Sequence, residues 1–257
     1  MRSVVRLYPY KNRGGWTWRC APARGLGTAP LNGAVPLIGA VPLNGAVPAY
    51  DPWTAIIPIR SFSEGKTRLH VTSVDTAALI EAFAEDVMAA CTDCPEIART
   101  FVVSPDRSVL TAARAHGCTP VLEASACGIN DAITAARQDV DGPIIAILGD
   151  TPCISPATVR MVIQQAREHA TSFVPDASGV GSTMWCSSAG LAQHSYFGHH
   201  SRAEHRAHGA VELGVGHSDR EWARARRDVD TDVDLWDAVR LGVGPATSTL
   251  LVDLTLE

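Results

Sequence analysis

The sequence has few charged residues and lacks the long apolar runs that cross membranes. Charged side chains make up 19% and apolar side chains 46% of the 257 residues. This balance excludes a disordered chain and allows a sizeable core. No apolar stretch approaches the roughly 20 residues that span a bilayer, so no membrane partner is expected. The net charge of −5 also argues against broad binding to nucleic acid.

The signatures of several common enzyme classes are also missing. Gly65-Lys66-Thr67 resembles the end of a P-loop, but Arg60 stands where that motif requires its first glycine. The absence of G-x-S-x-G disfavours a serine hydrolase, and the absence of H-E-x-x-H disfavours a zinc protease. His205 and His208 lie one helical turn apart, so zinc binding stays an alternative to solvated histidines on an exposed helix.

The cysteines do not form a disulfide framework. Their number, seven, is odd, and they are scattered among apolar neighbours. This pattern predicts reduced, partly buried thiols in a cytoplasmic protein. Cys91 and Cys94 form a lone C-x-x-C, whereas structural zinc would need a second pair or suitably spaced histidines. A metal or redox role for this pair is the less favoured alternative.

The first fifty residues differ in composition from the rest. Three near-identical hexapeptides at 31–48 each contain Gly and Pro, which neither propagate a helix nor suit a central strand. Three such turns are too few for a β-helix. The basic residues among the first twenty resemble a targeting peptide, but the apolar segment of a secretion signal is missing. We predict a flexible, low-complexity extension at 1–52 and one folded domain at 53–257.

From Trp53 onward, short aliphatic strands alternate with amphipathic helices. Such alternation is typical of βαβ units and predicts a Rossmann-like, three-layer α/β/α fold with a mainly parallel sheet. The predicted strands are 54–59, 100–104, 120–123, 144–148 and 171–175, and the predicted helices are 77–91, 108–116, 129–138 and 155–169.

Asp150 follows the most clearly buried of these predicted strands. The run Ile144–Leu148 is aliphatic and short, as in a strand that is buried on both faces. In open α/β sheets, ligands bind outside the carboxyl ends of the strands. Asp150 is therefore expected where a metal-bound phosphate would lie. The alternative is that Asp150-Thr151-Pro152 only turns the chain and caps the next helix.

A second acidic segment alternates Asp with other residues. If it is a strand, Asp228 and Asp230 share one face. Two carboxylates on one face repel unless a cation lies between them, which favours a Mg²⁺ site. Asp232 or Asp234 is expected to cap the helix that follows.

Two further segments favour anion binding. Arg60, Lys66 and Arg68 follow the first strand of the folded domain, and cations at such a position suit the phosphates of a nucleotide. Gly179-Val180-Gly181 allows the backbone to approach an anion closely. The alternatives are a solvated basic loop for the first segment and an ordinary turn for the second.

Taken in order, eight segments of the chain resemble the phosphoenolpyruvate/2-phospholactate guanylyltransferases of coenzyme F420 biosynthesis. The resemblance extends from about Trp53 to Leu250 and rests on the order of the motifs, since no single one is specific. The segments are 57–60 with 66–69, 103–106, 128–132, 149–152, 175–183, 197–201, 228–231 and 241–247.

The resemblance implies a nucleotide-diphospho-sugar-transferase-like fold and a reaction between GTP and a small phosphorylated acid that releases pyrophosphate. It implies Mg²⁺ at Asp150, Asp228 and Asp230, with Lys66 and Arg68 stabilising the charge on the phosphates. Asn130 would lie near the guanine or the ribose. The substrate-binding residues that the resemblance implies are Arg60, Asn130, Ser182, Thr183, Gly198 and Ser201.

The chain departs from the family pattern at a few positions. Arg60 stands where Lys is usual, Thr151 where Leu is usual, and Ser182 where Thr is usual, while His199-His200 is an unusual insert. None of these changes removes an implied metal ligand. Phosphoenolpyruvate is the favoured acid, because the segment 241–247 resembles actinobacterial members, with 2-phospholactate and 3-phosphoglycerate as alternatives.

Other functions remain open at this point. The alternatives are another nucleotidyltransferase of this fold, of the molybdenum-cofactor or sugar-phosphate type, and a non-catalytic nucleotide-binding scaffold. The sequence does not determine the oligomeric state, and a homodimer is one of the states that it allows.

Overall fold

The computed structural model divides the chain into two units, at residues 1–48 and 49–257. In the first unit it describes an antiparallel hairpin of β1 (Leu7–Asn12) and β2 (Gly15–Cys20). The sequence analysis did not predict this hairpin, and the hexapeptide repeats lie outside the described residues. The structure describes residues 7–12, 15–20, 51–63, 66, 68–69, 71, 74–123, 128–138, 140–188 and 194–252.

The second unit contains a seven-stranded sheet, whose spatial order is β5-β4-β3-β6-β8-β7-β9. All neighbouring strands are parallel except β8, which is antiparallel to both β6 and β7. The prediction of a mainly parallel sheet is confirmed. The strands are β3 (Trp53–Pro58), β4 (Ile97–Ser104), β5 (Thr119–Leu122), β6 (Ile144–Ile147), β7 (Thr171–Pro175), β8 (Ser182–Ser187) and β9 (Val211–Glu212).

Helices cover both faces of this sheet. Ile57 and Ile145 pack on the side of α1, α2 and α4, while Ile56 and Ile144 pack on the side of α3. Each fully buried Ile contributes about 2 kcal/mol from the area removed from water. The helices are α1 (Thr76–Thr92), α2 (Arg107–Ala115), α3 (Ile129–Arg137), α4 (Pro156–Ala166), α5 (Ser201–Ala207), α6 (Arg220–Arg226), α7 (Asp232–Leu241) and α8 (Pro245–Val252).

Polar residues fix where several helices begin. Asp75 and Asp106 accept hydrogen bonds from the first-turn amides of α1 and α2. Ser155 begins α4 through a capping box with Thr158, and Pro156 fits the first helical position. These caps are readable from the sequence, which explains why the predicted helices agree with the structure to within a few residues.

The strand order reverses at β3. Its neighbours β4 and β6 lead the chain to opposite sides of the sheet, which makes the carboxyl ends of β3 and β6 a topological switch point. Residues that follow these two strands therefore flank the crevice where α/β sheets bind ligands.

Candidate active site

Asp150 is positioned by the turn that follows β6. The Leu148 amide donates to the Thr183 carbonyl at 3.0 Å, and Thr151 Oγ1 closes the turn by donating to the Leu148 carbonyl at 2.9 Å. Gly149 is needed here because an added Cβ would lie 2.9 Å from Ile59 Cγ1. The loop after β3 can therefore come close to Asp150.

The second acidic segment reaches Asp150 through the backbone. The Val229 amide donates to the Asp150 carbonyl at 3.0 Å, which fixes the flanking residues Asp228 and Asp230 beside the end of β6. The shared face was expected on the condition that this segment is a strand, and that condition is not met. The segment is an irregular connection between α6 and α7, held by this single backbone bond and not by a ladder.

Capping of α7 by the next acidic residues is confirmed for Asp234. Thr231 is the N-cap residue and accepts from the Asp234 amide, while the Asp234 carboxylate accepts from the Thr231 amide. The helix begins at Asp232. Asp228 and Asp230 are therefore the acids of this run that are left for the site.

Lys66 links the two acidic segments. Its Nζ donates to Asp150 Oδ2 and to Asp230 Oδ1, each at 2.5 Å, and its side chain is 12% exposed. Burial alone would lower the pKa of the amine, but the two adjacent carboxylates outweigh it and raise the pKa above its ordinary value. Lys66 is therefore a cation that bridges two acids in this conformation. We call Lys66, Asp150, Asp228 and Asp230 the acid–lysine centre.

Negative charge is in excess at this centre. Burial, followed by the charges of Asp150, Asp176 and Asp230, raises the pKa of Asp228 to about 7. Among the described residues, Asp150 Oδ1 is buried without a hydrogen-bond partner. A carboxylate oxygen with no donor and a neighbour that resists ionisation both indicate room for another positive charge.

The carboxylates are suitable ligands for a hard divalent cation, because Mg²⁺ prefers oxygen donors. Within the part of the chain that the structure describes, no three acidic, histidine or cysteine side chains converge closely enough to hold an ion in this conformation. Lys66 lies between two of the three acids instead. The donor set fits Mg²⁺ in its chemistry.

The two other cations of the basic loop lie further out. Arg68 Nη2 donates to Asp230 Oδ2 at 3.3 Å, and its side chain is 71% exposed. Arg60 lines a cleft of about 300 Å³ together with Lys66, Asp150 and Asp230. An adjoining cleft of about 290 Å³ shares Arg60 and continues toward the start of α3. The two clefts share Pro58, Ile59, Arg60 and Ile129, and together we call them the groove at the switch point.

The hairpin turn between β7 and β8 differs from its prediction. Gly179-Val180-Gly181 was expected to approach an external anion. The Val180 and Gly181 amides instead donate to the carboxylate of Asp176, at 3.0 and 2.9 Å. The anion of this turn is therefore part of the chain. Asp176 follows β7 as Asp150 follows β6, a signal that could have singled it out from the sequence.

Two of the predicted hydroxyl residues, Ser182 and Ser201, come together with His205 in what we call the hydroxyl cluster, whereas Thr183, the next residue along β8, points to the other face of the sheet. Ser182 Oγ lies 2.8 Å from Ser201 Oγ and 3.2 Å from His205 Nδ1. Thr183 Oγ1 donates to the Ala225 carbonyl at 2.7 Å. All four residues are buried. Their predicted contacts with the small acid stay a prediction.

His205 is the member of this cluster that sequence reasoning missed. The expectation of a solvated histidine is wrong, because its ring is fully buried and stacks on Phe173. Its Nε2 accepts from the Tyr196 amide at 2.9 Å, so Nδ1 carries the proton and donates to Ser182. Burial, followed by the charge of His208, lowers the pKa of His205 to about 4. Both ring nitrogens are engaged in hydrogen bonds, so the ring supports the fold and has no nitrogen to offer to zinc in this conformation.

The side chain of Asn130 binds the backbone of Phe197, the residue that precedes Gly198. The Asn130 side chain donates to the Phe197 carbonyl at 2.9 Å and accepts from the Phe197 amide at 2.8 Å. It thereby fixes the segment that leads into Gly198, whose φ is +130°. In this conformation the amide of Asn130 supports the chain, and contact with guanine or ribose stays a prediction.

The cysteines behave as the sequence analysis expected. All five that the structure describes with their surroundings are free thiols in buried positions, including Cys91 and Cys94. Burial raises the pKa of Cys94 to about 11, so the C-x-x-C pair is poorly suited to metal or redox chemistry. No helix among the described segments has the length and apolarity required to cross a bilayer.

A mainly parallel sheet with carboxylates, a lysine and clefts at its switch point suits a nucleotidyltransferase, and comparisons with known proteins place the chain in that class. The MobA-like NTP transferase domain matches residues 62–212. A solved candidate nucleotide-diphospho-sugar transferase of Desulfovibrio desulfuricans G20 is similar in fold, with a TM-score of 0.57 at 14% identity, covering 78% of this chain and 94% of the other.

Curated relatives narrow the class to one family. The phosphoenolpyruvate guanylyltransferase of Streptomyces coelicolor is 35% identical over 213 residues, which cover 79% of this chain and 98% of the relative. That of Streptomyces avermitilis is 35% identical over 211 residues, which cover 79% and 96%. The chain belongs to the phosphoenolpyruvate guanylyltransferase family within the MobA-like NTP transferases.

Proposed function

We propose that the protein transfers GMP from GTP to phosphoenolpyruvate and releases pyrophosphate. The observation that carries this proposal is the position of Lys66 Nζ, 2.5 Å from both Asp150 and Asp230 at the switch point of the sheet. Nucleotidyl transfer needs little covalent help and depends on holding and neutralising phosphates, which this arrangement of charges can do. The names of the curated relatives support the choice of substrates.

In the proposed reaction, a phosphate oxygen of phosphoenolpyruvate attacks the α-phosphorus of GTP. The bond from that phosphorus to the bridging oxygen breaks, and its electron pair leaves with pyrophosphate. Lys66 would turn from the carboxylates toward the triphosphate and neutralise the charge that grows on the leaving group. Arg68, which is exposed at the rim, would attract the triphosphate and hold its outer end.

Mg²⁺ is the cofactor that we propose for this centre. Asp150, Asp228 and Asp230 would hold it, and the unpartnered Oδ1 of Asp150 is the atom that most needs a cation. A bound Mg²⁺ would supply positive charge to the phosphates of both substrates. Lys66 would have to leave the space between Asp150 and Asp230 as the ion and the nucleotide enter.

The proposal also names the acceptor acid and the pathway in which the product is used. The product, a guanylylated phosphoenolpyruvate, is activated for transfer of its three-carbon acid, as coenzyme F420 biosynthesis would require. Ser201 and Gly198 would face the acceptor from the start of α5, where His205 fixes the hydroxyl of Ser182. The insert His199-His200 lies in the same segment and would influence the choice of acid.

The test is an acceptor and nucleotide panel in which the product is identified by mass spectrometry. GTP is incubated with Mg²⁺ and with phosphoenolpyruvate, 2-phospholactate or 3-phosphoglycerate, and the best acid is then tested with ATP and CTP. We expect the guanylylated product with phosphoenolpyruvate and little product with ATP or CTP. A preference for CTP or ATP would point to another nucleotidyltransferase, and no product from folded protein would favour a nucleotide-binding scaffold.

A further inference from the structure

The segment 241–247, which the sequence analysis singled out, plays no part in the proposed chemistry and lies behind the site. It ends in the first turn of α8, and that turn is bound by a side chain of another helix. Asp86, in the middle of α1, accepts from the Ala246 amide at 2.8 Å and from the Thr247 amide at 3.1 Å. Its carboxylate thus caps α8 from outside the local sequence.

Asp86 occupies an unusual position for an acid. It is only 3% exposed, on the face of α1 that carries Phe83, Val87 and Ala90 into the core. None of the ion pairs among the described residues includes Asp86. Burying a carboxylate is costly, and an apolar residue at this position would avoid that cost. The hydrogen bonds from the two amides of α8 offset part of this cost.

Gly244 fits closely against the same carboxylate. A Cβ at this position would collide with the side chain of Asp86, so a larger residue here would force the turn or the carboxylate to shift. The Gly244 amide, moreover, donates to the Pro152 carbonyl at 2.8 Å. One residue therefore touches Asp86 on one side and the loop after β6 on the other.

The loop that carries Asp150 is thus held from the C-terminal part of the chain at three points. The Gly244 amide binds the Pro152 carbonyl, the Val229 amide binds the Asp150 carbonyl, and Cys153 Sγ donates to the Ala238 carbonyl at 3.4 Å. Of these three hydrogen bonds, only the one from Gly244 to Pro152 depends on a buried charge, which is that of Asp86. Its removal should loosen the loop without touching any residue that faces the groove.

We propose that Asp86 is a positioning residue that, through α8 and Gly244, fixes the backbone of the Asp150 loop. The consequence for turnover rests on the proposed function, since it assumes that Asp150 takes part in the reaction. The claim that Asp86 fixes this loop rests on the hydrogen bonds alone.

The experiment compares Asp86→Ala with Asp219→Ala, a matched control. Asp219 also caps a helix, α6, by accepting from the Trp222 amide at 3.2 Å, but no hydrogen bond links it to Pro152. We expect kcat to fall about tenfold in Asp86→Ala, with KM for GTP and for phosphoenolpyruvate changed less than twofold. Asp219→Ala should be destabilised as well but should keep its kcat at temperatures where it is folded.

A second pair of variants makes the test specific to this contact. Gly244→Ala alone should lower kcat, because its methyl group collides with the carboxylate. In the double variant Asp86→Ala/Gly244→Ala, the collision with the carboxylate is gone and only the contact with the Cβ of residue 86 remains, so its kcat should fall by less than the product of the two single losses. Additive losses in the double variant would overturn the proposal, as would an equal fall of kcat in Asp219→Ala. If Asp86→Ala does not fold, Asp86→Asn, which keeps one acceptor oxygen, replaces it.

Hydrogen exchange separates this proposal from the proposed function. In Asp86→Ala the amides of residues 150, 151, 153 and 154, which flank Pro152, should exchange at least tenfold faster than in the wild type, and in Asp219→Ala they should not. Unchanged exchange would overturn the positioning role. If the wild type shows no transfer at all, the proposed function fails, and the exchange result still decides whether Asp86 fixes the loop.

Discussion

The acid–lysine centre and the hydroxyl cluster lie at the same edge of the sheet, but they differ in how their polar groups are satisfied. At the centre, Asp150 keeps an oxygen that has no partner among the described residues, and Asp228 resists ionisation. In the cluster, Ser182, Ser201 and His205 satisfy one another. The first region is electrostatically incomplete, and the second is complete without a ligand.

This difference indicates that the two regions have separate roles at the site. Incomplete electrostatics are common where charged substrates and metals bind, because the ligand supplies the missing charge. A complete network of buried hydrogen bonds fixes geometry instead. Substitutions in the acid–lysine centre should therefore reduce turnover, and substitutions in the hydroxyl cluster should first reduce stability.

The sharpest way to test this division is Asp150→Asn. The amide keeps the size of the side chain but removes the charge that a cation and Lys66 need, so we expect kcat to fall about 1,000-fold or more. Steady-state kinetics measures the fall in turnover, and thermal unfolding measures the stability of the variant. Asp141→Asn, at an exposed loop position, is the control that should match the wild type. Turnover that survives in Asp150→Asn would contradict the assignment of the centre.

The next largest effect is expected from Lys66→Met, which keeps the length of the side chain but not its charge. Removal of one preorganised cation from a transferring phosphate costs about 100-fold in kcat. Arg68→Ala, at a side chain that is 71% exposed, should cost less than tenfold. Single-turnover kinetics at saturating GTP compare the two variants, and an equal loss in both would break the distinction between buried and exposed cations.

The hydroxyl cluster should make stability depend on pH. The folded pKa of His205 is about 4, below its unfolded value of about 6.5. The unfolded state therefore binds a proton first as the pH falls, and stability is lost between pH 6.5 and pH 4, by up to about 3 kcal/mol. Urea unfolding at several pH values measures this loss. His205→Gln, which cannot titrate, should lose less over the same range, and parallel curves would contradict the account.

The smallest effect is expected at His200, whose φ of 61° is left-handed. A residue with a Cβ pays about 1 kcal/mol in this conformation, so His200→Gly should raise the free energy of unfolding by up to that amount. The urea midpoint with an unchanged slope measures it. A destabilised variant would show that the tilted ring contact between His199 and His200 outweighs the strain.

Much of the fold could be predicted because its signals are local. The aliphatic run Ile144–Ile147 is a strand wherever it is placed, and Asp106 or Ser155 begins a helix through its own neighbours. β8 was missed because Ser182–Ser187 mixes hydroxyl and apolar residues without a period of two. It is buried on both faces between β6 and β7, which only the assembled sheet reveals.

The site was predictable to the same degree. Asp150 and Lys66 lie in the loops that follow two strands visible in the sequence, and parallel strands bring such loops to one edge. The irregular path of Asp228 depends on one bond to Asp150, and the burial of His205 depends on the packing of α5 against Phe173. Neither contact leaves a pattern in the local sequence.

The measurement that tests the central claim most directly is the Mg²⁺ dependence of pyrophosphate release from GTP and phosphoenolpyruvate. If the excess negative charge of the acid–lysine centre is a cation site, release stops in excess chelator, returns when Mg²⁺ is added, and requires both substrates. Release at the full rate in chelator, or with GTP alone, would contradict the claim that guanylyl transfer occurs at this centre.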